Sequence, residues 1–229
     1  MKISLCVPCM NRTHDLKIAL PAMLESLRRS APGELSIVNY NSKDDLADFI
    51  LSVVPPEGVE LIYRKYEGRD SFHMAHARNL SVLNSTGGPN DYIAIGSADM
   101  VPDPEYFTIA RKMAEDGCLW MQEVEHKGFI VVRRDEFIDS GGYDERFEFY
   151  GPEDRDIALR LFRRATGRFG RIPAGHITLI RTRKRDKLTH YRSGYTREEM
   201  ARYGAKIAEL NFIKYTLVAN QSTPWGQWT

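Results

Sequence analysis

Apolar residues gather in the run ISLCVP near the start of the chain, and after the polar NRTHD they recur every three and four positions through LKIALPAMLESLRRS. The first pattern predicts a short buried strand and the second an amphipathic helix, which Pro21 either starts or kinks. APGE ends that helix, LSIVNY returns to the strand pattern, DDLADFILSVV is helical up to Pro55 and Pro56, and VELIYRK is a third strand. Strands and helices alternating in this order imply parallel strands with crossover helices on both faces, an α/β fold of nucleotide-binding type.

The pattern continues with SFHMAHARNLSVLNSTG as a helix, DYIAIGSAD as a strand running into an acidic turn, and EYFTIARKMAEDG as a helix. CLWMQEV and KGFIVVRRDEFIDSGG predict strands and a short helix bounded by glycine. DRDIALRLFRRA is helical, GRFGRIPAGHITLIRT a strand region, RKRDKLTHYRSGY a basic loop, and REEMARYGAKIAELNFIKYTLV the last helix. The tail ANQSTPWGQWT is expected to be mobile, as chain ends commonly are, or else to pack on a partner. Neither a repeat nor a low-complexity linker divides the 229 residues, so one domain with a substantial core is expected.

Composition narrows the function classes. With 42% hydrophobic and 28% charged residues the chain reads as soluble and globular, and 32 Lys and Arg against 31 Asp and Glu exclude a wholesale nucleic-acid binder. No segment has the apolar length of a signal peptide or membrane span, which makes a cytoplasmic protein the expectation, with the inner membrane surface as a second location. TREEMARYGAKIAELNFIKY serves either as a packed amphipathic helix or as a peripheral membrane contact. Cys6 and Cys9 have Cys-x-x-Cys spacing, yet they follow an apolar run and lack a second pair; a buried strand end is favoured over a redox or zinc site.

In an open α/β sheet the reactive groups emerge at the carboxyl ends of strands, and three polar clusters satisfy that rule: Pro8 to Arg12, Asn39 to Asp44, and Ser97 to Asp103. Asp99 and Asp103 offer hard oxygen ligands for a divalent cation, with a capping turn as the alternative. In HARN, His76 and Asn79 share a helical face while Arg78 is rotated away, free to meet phosphate or solvent. Neither GxGxxG nor GxxxxGK occurs, which disfavours dinucleotide enzymes and P-loop NTPases. In GGYDERFEFYGPEDRD, glycines and aromatics precede Glu153, Asp154 and Asp156 at a helix start. Helix-end stabilisation accounts for one or two of these acids, and a carboxylate beside aromatics that stack on sugars accounts for the rest.

Taken in order, SLCVPCMNR, VNYNSKDD, HARN, YIAIGSADMVPDPEYF and GGYDERFEFYGPEDRDIALRL resemble the inverting GT-A glycosyltransferases of family 2, with a latter half similar to galactosyltransferases and chondroitin polymerase. The resemblance implies a GT-A fold: a mostly parallel central sheet flanked by helices. Within it, about 1–100 form the nucleotide-sugar half, about 101–194 the acceptor and catalytic half, and 195–229 the last helix and tail. It implies a donor site at Pro8, Asn11, Arg12, Asn39, Asn41, His76, Arg78, Asn79, Ser97, Ala98 and Asp99, and an acceptor site at Tyr150, Gly151 and Glu153. Asp154 takes the place of the catalytic base. Asp99, last residue of the family's Asp-x-Asp sequence, would hold Mn²⁺ or Mg²⁺ with His190 as first choice or His176 as second.

Three departures accompany these matches. Asn39 stands where aspartate is common, Ser97 replaces the first metal-motif aspartate, and Pro152 replaces a usual glycine. The implied activity is metal-dependent, inverting transfer of a hexosyl or N-acetylhexosaminyl group from a nucleoside diphosphate sugar, UDP-linked, to a saccharide or glycan hydroxyl, as in polysaccharide biosynthesis. The alternative is a catalytically weakened nucleotide-sugar or glycan-binding module. Oligomeric state is not encoded in these motifs.

Overall fold

The computed structural model describes residues 1–149, 151–164, 168–181, 189–191 and 194–228. Its centre is β1 (Ile3–Cys9), buried at every position, which pairs in parallel with β2 (Gly33–Tyr40) on one side and β4 (Tyr92–Ile95) on the other. Outside β2 lies β3 (Val59–Tyr66), also parallel. Between these strands run α1 (Thr13–Arg29), α2 (Leu46–Leu51) and α3 (Met74–Asn84), the crossovers the alternating pattern predicts. Alternate side chains of β1 enter separate cores: Leu5 and Val7 pack with Leu16 and Met23 of α1, and Cys6 packs with Ile93, Ile95 and Phe137. A sheet buried on both faces explains why its strands read as continuous apolar runs.

The second half holds the antiparallel part of the mostly parallel sheet. After β4 come β5 (Met100–Pro102), α4 (Tyr106–Glu115), β6 (Trp120–Glu123), β7 (Ile130–Arg133) and α5 (Arg134–Asp139). β7 runs antiparallel to both β4 and β6, giving a seven-stranded order β3-β2-β1-β4-β7-β6-β8 once β8 (Phe169–Ile172) is added in parallel to β6. The reason is loop length: only residues 124–129 join β6 to β7, too few for a crossover, so the chain must turn back as a hairpin. β5 and β9 (Ile177–Leu179) form a small antiparallel pair beside the main sheet.

Between β7 and β8 lies α6 (Glu153–Arg164), and α7 (Arg197–Ile213) packs against it, started by a capping box between Thr196 and Glu199. Asp156 of α6 is buried and bonded by Arg160 Nε at 2.9 Å and Asn211 Nδ2 at 2.8 Å. Arg160 in turn donates to the carbonyls of Ser140 and Gly142, both at 2.8 Å, tying α6 to the glycine turn before it. Gly142 has φ of +64°, and a Cβ there would lie 2.6 Å from Asn79 Oδ1, so the turn accepts only glycine.

The tail is not the mobile segment its composition implies. Asn220 Nδ2 donates to the carbonyls of Gly141 and Tyr143 at 2.8 Å, Gly226 N donates to Glu145 Oε1 at 2.8 Å, and Trp228 lies with its ring 3.9 Å from the Arg64 guanidinium. Carbonyls exposed by the glycine turn and an unpaired aromatic slot give the tail partners that its own sequence does not reveal. The Cys-x-x-Cys pair is structural, as favoured: both thiols are buried in β1, and burial pushes Cys9 up to about 12. Among the described residues no helix is long and apolar enough to cross a membrane.

Removing one partner of a fully buried ion pair leaves the other charge uncompensated. Asp156→Ala is therefore expected to lower unfolding free energy by about 3 kcal/mol in urea titrations.

Candidate active site

A cavity of about 250 Å³ opens at the carboxyl edge of the sheet. Pro8 and Arg12 enter it from the end of β1, Ser97, Ala98 and Asp99 from the turn after β4, Arg78 from α3, and Glu153 and Asp154 from the first turn of α6; His190 lines it as well. Residues from most of the chain thus converge on one space. The sheet end fixes the first two groups, and the α3 and α6 helices fix the others.

On one side of the cavity the Arg78 guanidinium, its side chain 8% exposed, hydrogen-bonds Asp154 Oδ1 and lies 3.6 Å from Glu153 Oε1. Tyr143 donates to the same Asp154 oxygen at 3.3 Å and lies beneath the guanidinium, 4.9 Å from ring centre to cation. Burial alone would lower the pKa of Arg78, but Asp154, Tyr143 and Glu153 outweigh it and raise it. Glu153 is buried and accepts from Gly151 N at 3.0 Å. Desolvation, then the Asp154 charge, push its carboxyl up to about 8, which favours the protonated form at neutral pH. Asp154 is the more open of the two, and its Oδ2 faces the β6–β7 loop, where a Cβ on Gly128 would come within 2.8 Å of it.

Across the cavity Asp99 is buried, accepts from Ser97 Oγ at 2.6 Å, and has its Oδ2 3.2 Å from Arg12 Nη2. Arg12 Nε donates to Asp15 at 2.8 Å, so one guanidinium spans two carboxylates. His190 Nδ1 lies 3.5 Å from Asn11 Nδ2, and burial, then the Arg12 charge, lower its pKa and favour the neutral ring. A buried carboxylate and an imidazole line one cavity, a mixed oxygen and nitrogen donor set that suits Mn²⁺ better than Mg²⁺, with Ser97 and Arg12 already on the carboxylate. His176 instead holds Asp103 Oδ2 at 2.7 Å, away from this cavity.

Other residues expected at the site do not line this cavity. His76 is held between Tyr40 OH at 2.8 Å and the Gln227 carbonyl at 3.1 Å, and Asn79 bonds Tyr143 and Glu145. They face away from the cavity as Arg78 faces in, which is the rotation HARN predicts. Asn39 bonds Tyr63 OH at 2.9 Å and Ser42 N at 2.8 Å; Asn41, with φ of 52°, donates to the Arg69 carbonyl at 2.8 Å. Asn11 accepts from Lys43 N at 2.6 Å, knitting the β1 and β2 loops together. Gly151 supports Glu153 through its N–H, and Tyr150 lies outside the described residues.

The β6–β7 loop was not anticipated: His126, Lys127, Gly128 and Phe129 all line the cavity. Its signal was the polar run EVEHKG between two strand patterns, which marks a hairpin tip. Glu123, Glu125 and His126 place ligand-type atoms within 4.8 Å of one another there, and Glu123 Oε2 accepts from the His126 N–H, which explains the cluster as the hairpin's own hydrogen bonding.

A carboxyl group whose pKa rises from 4.5 to about 8 on folding is held protonated by the native state while the unfolded chain releases the proton. Stability relative to Glu153→Gln is therefore expected to fall as pH rises from about 5 to about 8 and to level off above, as read by urea unfolding across that range.

A family model described as the N-terminal domain of galactosyltransferase matches residues 119–185, which contain β6, β7, α6 and the Glu153–Asp154 pair. No curated protein matches the chain. Among solved structures, S. aureus TarS in complex with UDP-GlcNAc is similar at 12% identity and a TM-score of 0.72, covering 93% of this chain and 67% of that one. The catalytic domain of Drosophila β1,4-galactosyltransferase 7 in complex with xylobiose is similar at 17% identity and a TM-score of 0.57, covering 88% and 79%. The Pyrobaculum calidifontis mannosyltransferase in complex with GDP-Man and Mn²⁺ gives 15% identity and a TM-score of 0.61, covering 94% and 71%. Against S. aureus TarS 1-349 the chain spans 59% of the other chain's length. Strand order, the convergence of the loops and these likenesses agree: the chain has the GT-A fold of the glycosyltransferases.

Proposed function

We propose that the protein transfers a sugar from a nucleoside diphosphate sugar to a saccharide hydroxyl, with inversion. The observation that carries this reading is the placement of Asp154, open to the cavity and opposite the Asp99 and Arg12 side. Asp154 Oδ1 is taken by Arg78 and Tyr143, which orient the carboxylate and leave Oδ2 toward the cavity loop. Oδ2 accepts the acceptor hydroxyl proton as that oxygen attacks the anomeric carbon from the face opposite the leaving diphosphate. Arg12 meets the charge that develops on the departing phosphate. Glu153, neutral at the start of α6, donates or accepts hydrogen bonds with sugar hydroxyls without adding a second negative charge.

Asp99 and His190 are the residues that would hold Mn²⁺ or Mg²⁺; the bound ion supplies Lewis-acid stabilisation of the diphosphate. That the similar Pyrobaculum protein is in complex with GDP-Man and Mn²⁺ supports this choice. UDP is the favoured nucleotide because the TarS complex contains UDP-GlcNAc; the acceptor is a saccharide, as xylobiose is in the Drosophila complex. A weakened binding module is the second reading, favoured by Ser97 in place of a metal-motif aspartate and by the arginine that each key carboxylate already pairs with.

Asp154→Asn is expected to slow acceptor-dependent nucleotide release by about 10²- to 10⁴-fold while donor binding, followed by calorimetry, stays near wild type. Near-normal turnover at saturating substrates would remove Asp154 as base. Chelation of divalent ions is expected to depress release, Mn²⁺ to restore it, and Asp99→Ala to require more Mn²⁺ for half-maximal rate; release that ignores chelator would remove the metal from the mechanism. Nucleotide-sugar binding with no release under any acceptor would establish the binding-module reading instead.

A further inference from the structure

A second groove, of about 550 Å³, runs between α6, the end of α7 and the edge strand β8. It meets the catalytic cavity at Lys127, which lines both, and Arg155, next in sequence to Asp154, stands at the same end. The groove therefore adjoins the cavity beside α6 and the β6–β7 loop.

Its walls combine two kinds of group. Phe162 and Phe212 are 57% and 60% exposed, an unusual state for large apolar rings, and Phe162 meets the edge of Phe169 at 6.4 Å. Phe169 is braced from below by Trp120 at 4.3 Å. Lys127, Arg155 and Arg171 are exposed and form no ion pair among the described residues, while the Arg171 guanidinium lies 5.9 Å from the Phe169 ring centre. In the floor, Trp120 Nε1 and Glu123 Oε1 are buried and find no hydrogen-bond partner in the protein.

We propose that this groove binds the acceptor beyond its reacting sugar, and that the acceptor is an acidic oligosaccharide carrying uronate groups. Pyranose faces cover the exposed phenylalanines, and carboxylates meet the unpaired cations. The forked guanidiniums of Arg155 and Arg171 match a planar carboxylate in two parallel bonds. A flat lipid surface fits less well, because the cations and Phe169 lie in a recess between helices and sheet edge. This assignment rests on the transfer reading for its direction, and its test is a binding measurement that does not need transfer.

Wild type, Arg171→Ser and Phe162→Ala, both at exposed positions, would be titrated calorimetrically with uronate-containing tetrasaccharides and with their carboxyl-reduced, neutral counterparts. Wild type is expected to favour the acidic form by about tenfold, Arg171→Ser to lose most of that preference, and Phe162→Ala to weaken both forms by about threefold or more, with UDP binding unchanged in each. Equal affinity of wild type for acidic and neutral chains would overturn the proposal. So would variants that keep the full preference, or that change only sedimentation with anionic vesicles or self-association. Nucleotide release with a monosaccharide acceptor reports on transfer alone, so its failure is separable from failure of the groove.

Discussion

The buried guanidinium of Arg78 is the constraint around which the α6 side of the cavity is arranged. A charge removed from water at the centre of the protein must be met by carboxylates, and Glu153 and Asp154 meet it from the first turn of α6. The helix end favours negative charge there, but two acids side by side repel, and the balance is struck by burying Glu153 as the neutral form while Asp154 stays open. Position of α6 follows from this contact and from a second one a turn later, where Asp156 and Arg160 lock the helix to the glycine turn. One arginine holds the Asp154 carboxylate at the cavity; the other keeps the helix that carries it in place.

This separation of roles was partly readable from the chain. Glu153, Asp154 and Asp156 stand within four residues, yet the helical period turns Asp156 to the core beneath α7 and Asp154 to the cavity. In HARN the helical period separates Arg78 from His76 and Asn79 but does not say which face meets the site; all three were expected there, and only Arg78 lines the cavity. The alternation of strands and helices in the first half was legible because each buried strand is one apolar run and each crossover one amphipathic stretch. Strand direction in the second half was not, since a run such as FIVV looks alike whichever way it is paired. Only the short connection of residues 124–129 specifies the reversal. The tail stayed hidden for a different reason, as its partners are carbonyls and rings more than seventy residues away.

Opposite Arg78 a second arginine sits where the family pattern has lost a carboxylate. With Ser97 in place of aspartate, Asp99 receives a hydroxyl hydrogen bond and the Arg12 guanidinium, which it shares with Asp15. The fold supplies the converging loop ends, shared at 12% to 17% identity with TarS and the other similar structures. The charges placed on those loops belong to this chain.

Product stereochemistry tests the reaction directly. With Asp154 as base and no second nucleophile invoked, the sugar must leave one face and be bonded through the other in a single displacement. Proton NMR of the first-formed product, before any anomer equilibrates, is expected to show the anomeric configuration opposite to that of the donor; retained configuration would contradict single displacement at Asp154.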